Sequence, residues 1–141
     1  MVHIGCTRMS NYVVGQELAP HNFTINRELL VGYANASGDQ NPIHQDEAFA
    51  KSVGLENVIA HGMFTMALAG RYVSAIAGSG TVKEFSARFL KPVVVPAGLD
   101  VELIVSGKVL EILDSAIKIE ITAMCGDIKV LGMSKAVVKV K

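Results

Sequence analysis

Residues 61–77 read HGMFTMALAGRYVSAIA, and the fold turns on what that stretch becomes. Met63, Phe64, Met66, Leu68, Tyr72, Val73 and Ile76 fall all round a helical wheel, with small residues between them. The pattern predicts a helix over 61–77 that is buried on every face. Gly78-Ser79-Gly80 ends it. A membrane span is excluded by length, because Arg71 interrupts the run and it falls short of the ~20 apolar residues that crossing requires. Such a helix needs a cover, and the rest of the chain supplies one.

Downstream, the apolar period changes to two. Val82 to Leu90 reads as a strand, and Pro92 to Gly98 as a turn region with two prolines. Leu99, Val101, Leu103 and Val105 alternate with polar residues, as do Ile117, Ile119, Ile121 and Ala123. Gly126-Asp127 turns the chain, and a last strand runs to Val140 with Lys135, Lys139 and Lys141 outward. Short turns between alternating strands predict an antiparallel meander. Upstream, residues 1–22 read as an irregular lead-in, with a short strand and turn at Val13 to Gln16, and Phe23-Thr24-Ile25 as a short strand. Asn26 is a good N-cap for a helix over 27–37, which Gly38 closes in a left-handed conformation. A second, short helix begins at Gln45 or Asp46 and ends at Gly54. The order strand, helices, strands is an α+β arrangement: an antiparallel sheet burying one face against helix 61–77, which describes a hotdog fold.

Composition narrows the function classes. A chain of 141 residues is sized for one domain, here 1–141, with a core that needs no staple. At 50% hydrophobic residues and a mean hydropathy of +0.39, it is rich in apolar surface for a small soluble monomer, so an oligomer is expected. A formal net charge of zero and a pI of about 6.9 leave no electrostatic footprint for nucleic acid. Cys6 and Cys125 form no CxxC and have no histidine at zinc spacing. They are read as free thiols, and with no leader pattern at the N-terminus the cytoplasm is the expected location.

Between the first two helices lies the densest chemistry. Asp39, Asn41 and His44 stand within six residues on a stretch bent by Gly38 and Pro42. A carboxylate and an imidazole brought to one small volume can hold a water, take a proton and return one near neutral pH. Taken alone, Ser-Gly-Asp-x-Asn-Pro is equally a structural turn. Its counterpart is Ala60-His61-Gly62-Met63, where a glycine opens the buried helix. The first amides of a helix lack internal partners and favour an anion. Glycine there lets a ligand come close, which suits an oxyanion site. On its own, His61 reads as a cap or core histidine, Met63 and Met66 as core filling, and Arg88 and Lys91 as solvated charges.

The stretch from Ser37 to His44 resembles the signature of the MaoC-like, (R)-specific enoyl-thioester hydratase family, and Ala60-His61-Gly62-Met63 its second motif. The likeness runs from about Phe23 to the C-terminus, through Arg88-Phe89-Leu90-Lys91-Pro92-Val93. Residues 60–66, Ala-His-Gly-Met-x-Thr-Met, are similar to the catalytic subunits of actinobacterial (3R)-hydroxyacyl-carrier-protein dehydratases. The resemblance implies a hotdog domain whose sheet joins that of a second subunit, as a homodimer or as a heterodimer with a related hotdog chain. It implies reversible hydration of trans-2-enoyl thioesters carried by CoA or acyl carrier protein, without metal or cofactor. Asp39 and His44 would then be catalytic, and the Gly62 amide would polarise the thioester carbonyl. Ser37, Asn41, His61 and Met63 would contact the substrate. A non-catalytic thioester-binding subunit and an acyl-CoA thioesterase are the alternatives. One departure stands out: Gly70 occupies a position where relatives often carry serine, which is compatible with a roomier acyl tunnel.

Overall fold

A computed structural model describes residues 12–78 and 80–139. The expected helices form where their caps place them. The Asn26 side chain accepts from Leu29 N at 3.0 Å and starts α1 (Arg27–Ser37), and Gly38, at φ 81°, closes it by donating to Ala34 O. Asp46 caps α2 (Glu47–Ser52) by accepting from Phe49 N at 3.0 Å. Between them, Pro42–His44 make one 3₁₀ turn. The long helix, α3, spans Gly62–Ala77 with His61 as its N-cap.

Five strands follow the expected order around these helices: β1 (Glu17–Ile25), β2 (Val82–Phe89), β3 (Val101–Ile112), β4 (Ala116–Cys125) and β5 (Ile128–Lys139). They form one antiparallel sheet, β1-β3-β4-β5-β2, in which β3, β4 and β5 are the meander. Period two explains the core. Ile117, Ile119 and Ile121 are at most 2% exposed, and burying each such side chain contributes ~1.5–3 kcal/mol. Opposite them, α3 buries Thr65, Leu68, Ala69, Tyr72 and Val73. Gly107 on β3 permits the close approach, since a Cβ there would stand 3.4 Å from Tyr72 Cε1 and 3.2 Å from Leu18 Cδ1. Tyr72 Oη then donates to Ala19 O at 2.8 Å, which ties α3 to β1. This helix cradled by a sheet is the hotdog fold.

Three expectations are corrected. The lead-in is not irregular to residue 22: Glu17 to Asn22 belong to β1, paired to β3 through Leu18↔Gly107 and His21↔Val105. Pro20 and a register shift between Leu18 and His21 break the alternation that would have announced a strand. Nor is α3 buried on every face. Met63 is 58% exposed, and Ala67, Arg71 and Ala75 face outward, because the sheet covers only one side of the helix. Leu99, half exposed, lies before β3 instead of in it. Cys6, Val140 and Lys141 lie outside the described residues. Among the described residues, no helix is long and apolar enough to cross a membrane.

Candidate active site

The acidic loop is built from short-range bonds. Once Gly38 has turned the chain, Ser37 Oγ accepts from Asp39 N, Asp39 Oδ1 from Asn41 N, and Asn41 Oδ1 from Ile43 N, each at 3.2 Å. These Asx and Ser turns fix the backbone while leaving the Asp39 carboxylate 54% exposed. Ser37 and Asn41 therefore shape the loop. Neither lines the cavity described below, and neither do Asp39 and Met63.

His44 sits at the end of the 3₁₀ turn and is buried. Its Nδ1 lies 2.7 Å from Ile59 O, and a carbonyl can only accept, so Nδ1 carries the hydrogen. The bare Nε2 lies 4.0 Å from Asp39 Oδ2. Burial pushes the His44 pKa below its ordinary 6.5. The bond to Ile59 opposes that shift, His61 adds to it, and Asp39 opposes it. The uncharged imidazole is thus the form the fold favours at neutral pH. Ile59 N donates to Ile43 O at 3.2 Å, so the segment before α3 is stitched to the turn that carries His44. That segment is itself clamped, with Ala60 N donating to Val93 O and Arg27 reaching Val95 O and Asn57 Oδ1.

His61 is 2% exposed, and its ring stacks on His44 with centroids 3.8 Å apart and planes at 25°. Asp39, His44 and His61 each offer a ligand atom within 4.8 Å of the others, the spacing of a divalent-ion site. The stack disfavours that use, since near-parallel rings hold their in-plane lone pairs side by side and not toward one centre.

Beside this cluster opens a cavity of about 300 Å³. His44, Gly62 and Thr65 form its polar end, while Ile59, Phe89, Leu90, Val93, Val130 and Leu131 give it an apolar wall. Gly62 is the first residue of α3, where an amide has no partner one turn back. A Cβ at Gly62 would stand 3.2 Å from the Phe89 ring, so only glycine leaves this corner open. Thr65 is the cavity residue that sequence reading missed: a buried hydroxyl one turn into α3, only weakly engaged with His61 O at 3.5 Å. Its signal was a polar residue three positions after the glycine, in an otherwise apolar run. Lys91, read as a solvated charge, also lines the cavity. Gly70 does not vacate space for a longer tunnel. The Phe85 ring fills it, 3.3 Å from where a Cβ would stand.

The family model of the MaoC like domain matches residues 10–123. Among curated proteins, 3-hydroxyacyl-thioester dehydratase X of Mycobacterium tuberculosis is 43% identical over 70 residues, which are 46% of this chain and 22% of that protein. A solved MaoC-like dehydratase superposes with a TM-score of 0.92 at 35% identity, covering 97% of this chain and 43% of the other. R-hydratase PhaJ1 from Pseudomonas aeruginosa superposes with a TM-score of 0.83 at 26% identity, covering 96% of this chain and 87% of that one. The chain thus spans well under half the length of the first two relatives it matches.

Proposed function

The chain belongs to the MaoC-like domain family, and from that premise we propose that it is a hydro-lyase interconverting (3R)-hydroxyacyl and trans-2-enoyl thioesters. One observation carries the reading. A histidine lining an apolar cavity beside the unpaired amide that opens α3 has a bare Nε2, and that nitrogen lies 4.0 Å from the Asp39 carboxylate.

In the dehydrating direction, His44 Nε2 takes a proton from the carbon next to the thioester carbonyl. The electron pair moves onto the carbonyl oxygen, where the Gly62 N–H stabilises the enolate. Collapse of the enolate forms the double bond and expels the C3 hydroxyl. That hydroxyl leaves as water with the proton held by the Asp39–His44 pair, so the pair ends as it began. A single proton-handling pair on one face of the substrate makes the elimination syn. No electrons change hands between molecules, so the step calls for no redox group. An oxyanion donor of this kind contributes on the order of 10²–10³ in rate.

The apolar wall suits an acyl chain, and the carrier is CoA or acyl carrier protein, with Lys91 at the cavity available to an anionic arm. An edge strand of the sheet, β1 or β2, is open to pair with the sheet of a second hotdog subunit, either the same chain or a related one. The free Cys125 thiol fits the expected cytoplasmic setting.

Purified protein should hydrate crotonyl-CoA, seen as loss of enoyl absorbance, and Asp39→Asn and His44→Ala should each lose most of that activity. Full activity in both variants would sink the assignment. Release of free thiol from saturated acyl-CoA without enoyl hydration would replace it with a thioesterase.

A further inference from the structure

We propose that His61 is a positioning residue: its Nε2–H holds the Asp39 main chain while its ring backs His44, so that carboxylate and imidazole stay in register. This rests on the hydro-lyase reading of the site.

His61 Nε2 lies 3.1 Å from Asp39 O, and since a carbonyl only accepts, Nε2 carries the hydrogen. Every other hydrogen bond to the side chains or backbone of residues 38–41, among the described residues, reaches no further than residue 45. The bond to His61 spans 22 positions and alone ties the acidic loop to the core. With Nε2 protonated, His61 Nδ1 is left bare, and it is buried without a partner. A residue selected only to fill the N-terminus of α3 would not leave an orphaned nitrogen in the interior, where polar groups are costly unless bonded. What the imidazole offers there, and a phenyl ring does not, is the donor to Asp39.

The ring has a second task. It stacks on His44 at 3.8 Å, and the Tyr33 ring of α1 meets it at 4.8 Å, tilted by 60°. The titratable and charged groups around it are therefore Tyr33, the Asp39 carboxylate and His44. His61 contacts both members of the Asp39–His44 pair, and it is absent from the cavity lining, as Asp39 is.

Two substitutions separate donor from filler. His61→Phe keeps a stacking ring and removes the N–H; His61→Gln keeps an N–H within reach of Asp39 O and removes the ring. On crotonyl-CoA, His61→Phe should lower kcat ten- to a hundredfold with KM changed less than threefold. His61→Gln should keep kcat within about tenfold of wild type. A folded His61→Phe with wild-type kcat overturns the proposal, and so does a folded His61→Gln as impaired as His61→Phe. Should His61→Phe fail to fold, His61→Asn, whose amide falls short of Asp39, replaces it in the comparison. If Asp39→Asn and His44→Ala are themselves fully active, it is the hydro-lyase reading that has failed; if they are inactive and both His61 variants are normal, only the positioning role has.

Discussion

The two halves of the site are held by opposite means. The carboxylate stands on a loop of overlapping turns, with Asp39 more than half exposed and one long-range bond to the core. The imidazole and the helix-opening amide are embedded: His44 is buried and anchored on Ile59, and Gly62 begins a helix whose inner face is core. On the proposed reading, the carboxylate half adjusts to a substrate, whereas the imidazole half is fixed before one arrives. Loss of activity and loss of stability should therefore come apart between them.

The largest effects test that separation directly. Asp39→Asn and His44→Ala should each lower kcat/KM by ~10²–10⁴, or about 3–5 kcal/mol of barrier. In urea unfolding, however, Asp39→Asn should shift stability by no more than ~0.5 kcal/mol, as exposed substitutions do. His44→Ala should cost about 1–3 kcal/mol, because it strands the Ile59 carbonyl. Equal destabilisation by the two would mean that the loop is as firmly built as the core, and the contrast would be lost.

Next in size is Gly62→Ala. The new methyl meets Phe89 at 3.2 Å, but Phe89 is 55% exposed and its ring is free to swing. Stability should hold, while the displaced ring crowds the amide corner and lowers kcat/KM on the order of tenfold, ~1.4 kcal/mol. Alanine keeps the N–H, so an unchanged rate would show that neither the methyl nor the displaced ring obstructs the amide corner.

A smaller effect follows from the buried state of His44. Its folded pKa lies below the unfolded 6.5, so the unfolded chain binds more protons as the pH falls through that value. His44's contribution to stability is fully present above 6.5 and is lost as pH falls from 6.5 through the folded pKa. The acid limb of kcat/KM should accordingly have its midpoint below 6.5, with a plateau by pH 7. A midpoint above 6.5 would show that Asp39, not burial, governs the imidazole, and would make the two halves one coupled unit.

Much of this arrangement is legible in the chain because local rules and tertiary structure agree there. Asn26, Gly38, Asp46 and Gly54 punctuate the helices as their side chains and dihedrals dictate, and the isoleucines of β4 spell their face by alternation. Reading fails where an outcome depends on a distant partner. Residues 17–22 become a strand only because β3 lies beside them, and Pro20 hides the period. Composition alone also cannot tell which side of α3 the sheet covers. Ser37 and Asn41 stand in the motif as expected substrate ligands, and the fold shows a further use of their oxygens, which accept backbone hydrogens two residues away. Thr65 and the Nε2–H of His61 become visible only once the loop and the helix start are folded together.

Gly70 supplies the finest test, since it repeats the Gly62 arrangement one step removed from the chemistry. Each glycine of α3 lies under a phenylalanine of β2, Gly62 under Phe89 and Gly70 under Phe85, at 3.2 and 3.3 Å from the position of a Cβ. Only the first pair borders the cavity; Gly70 and Phe85 do not. Phe85 is also less exposed than Phe89 and packs against the core, so it yields less readily. Gly70→Ser should thus reverse the Gly62→Ala pattern, costing about 1 kcal/mol of stability through overpacking while kcat/KM stays within threefold. Paired unfolding curves and crotonyl-CoA kinetics measure both quantities. A serine at 70 that instead raised the rate tenfold would place its hydroxyl at the reacting atoms and extend the site more than a turn further along α3 than its cavity reaches.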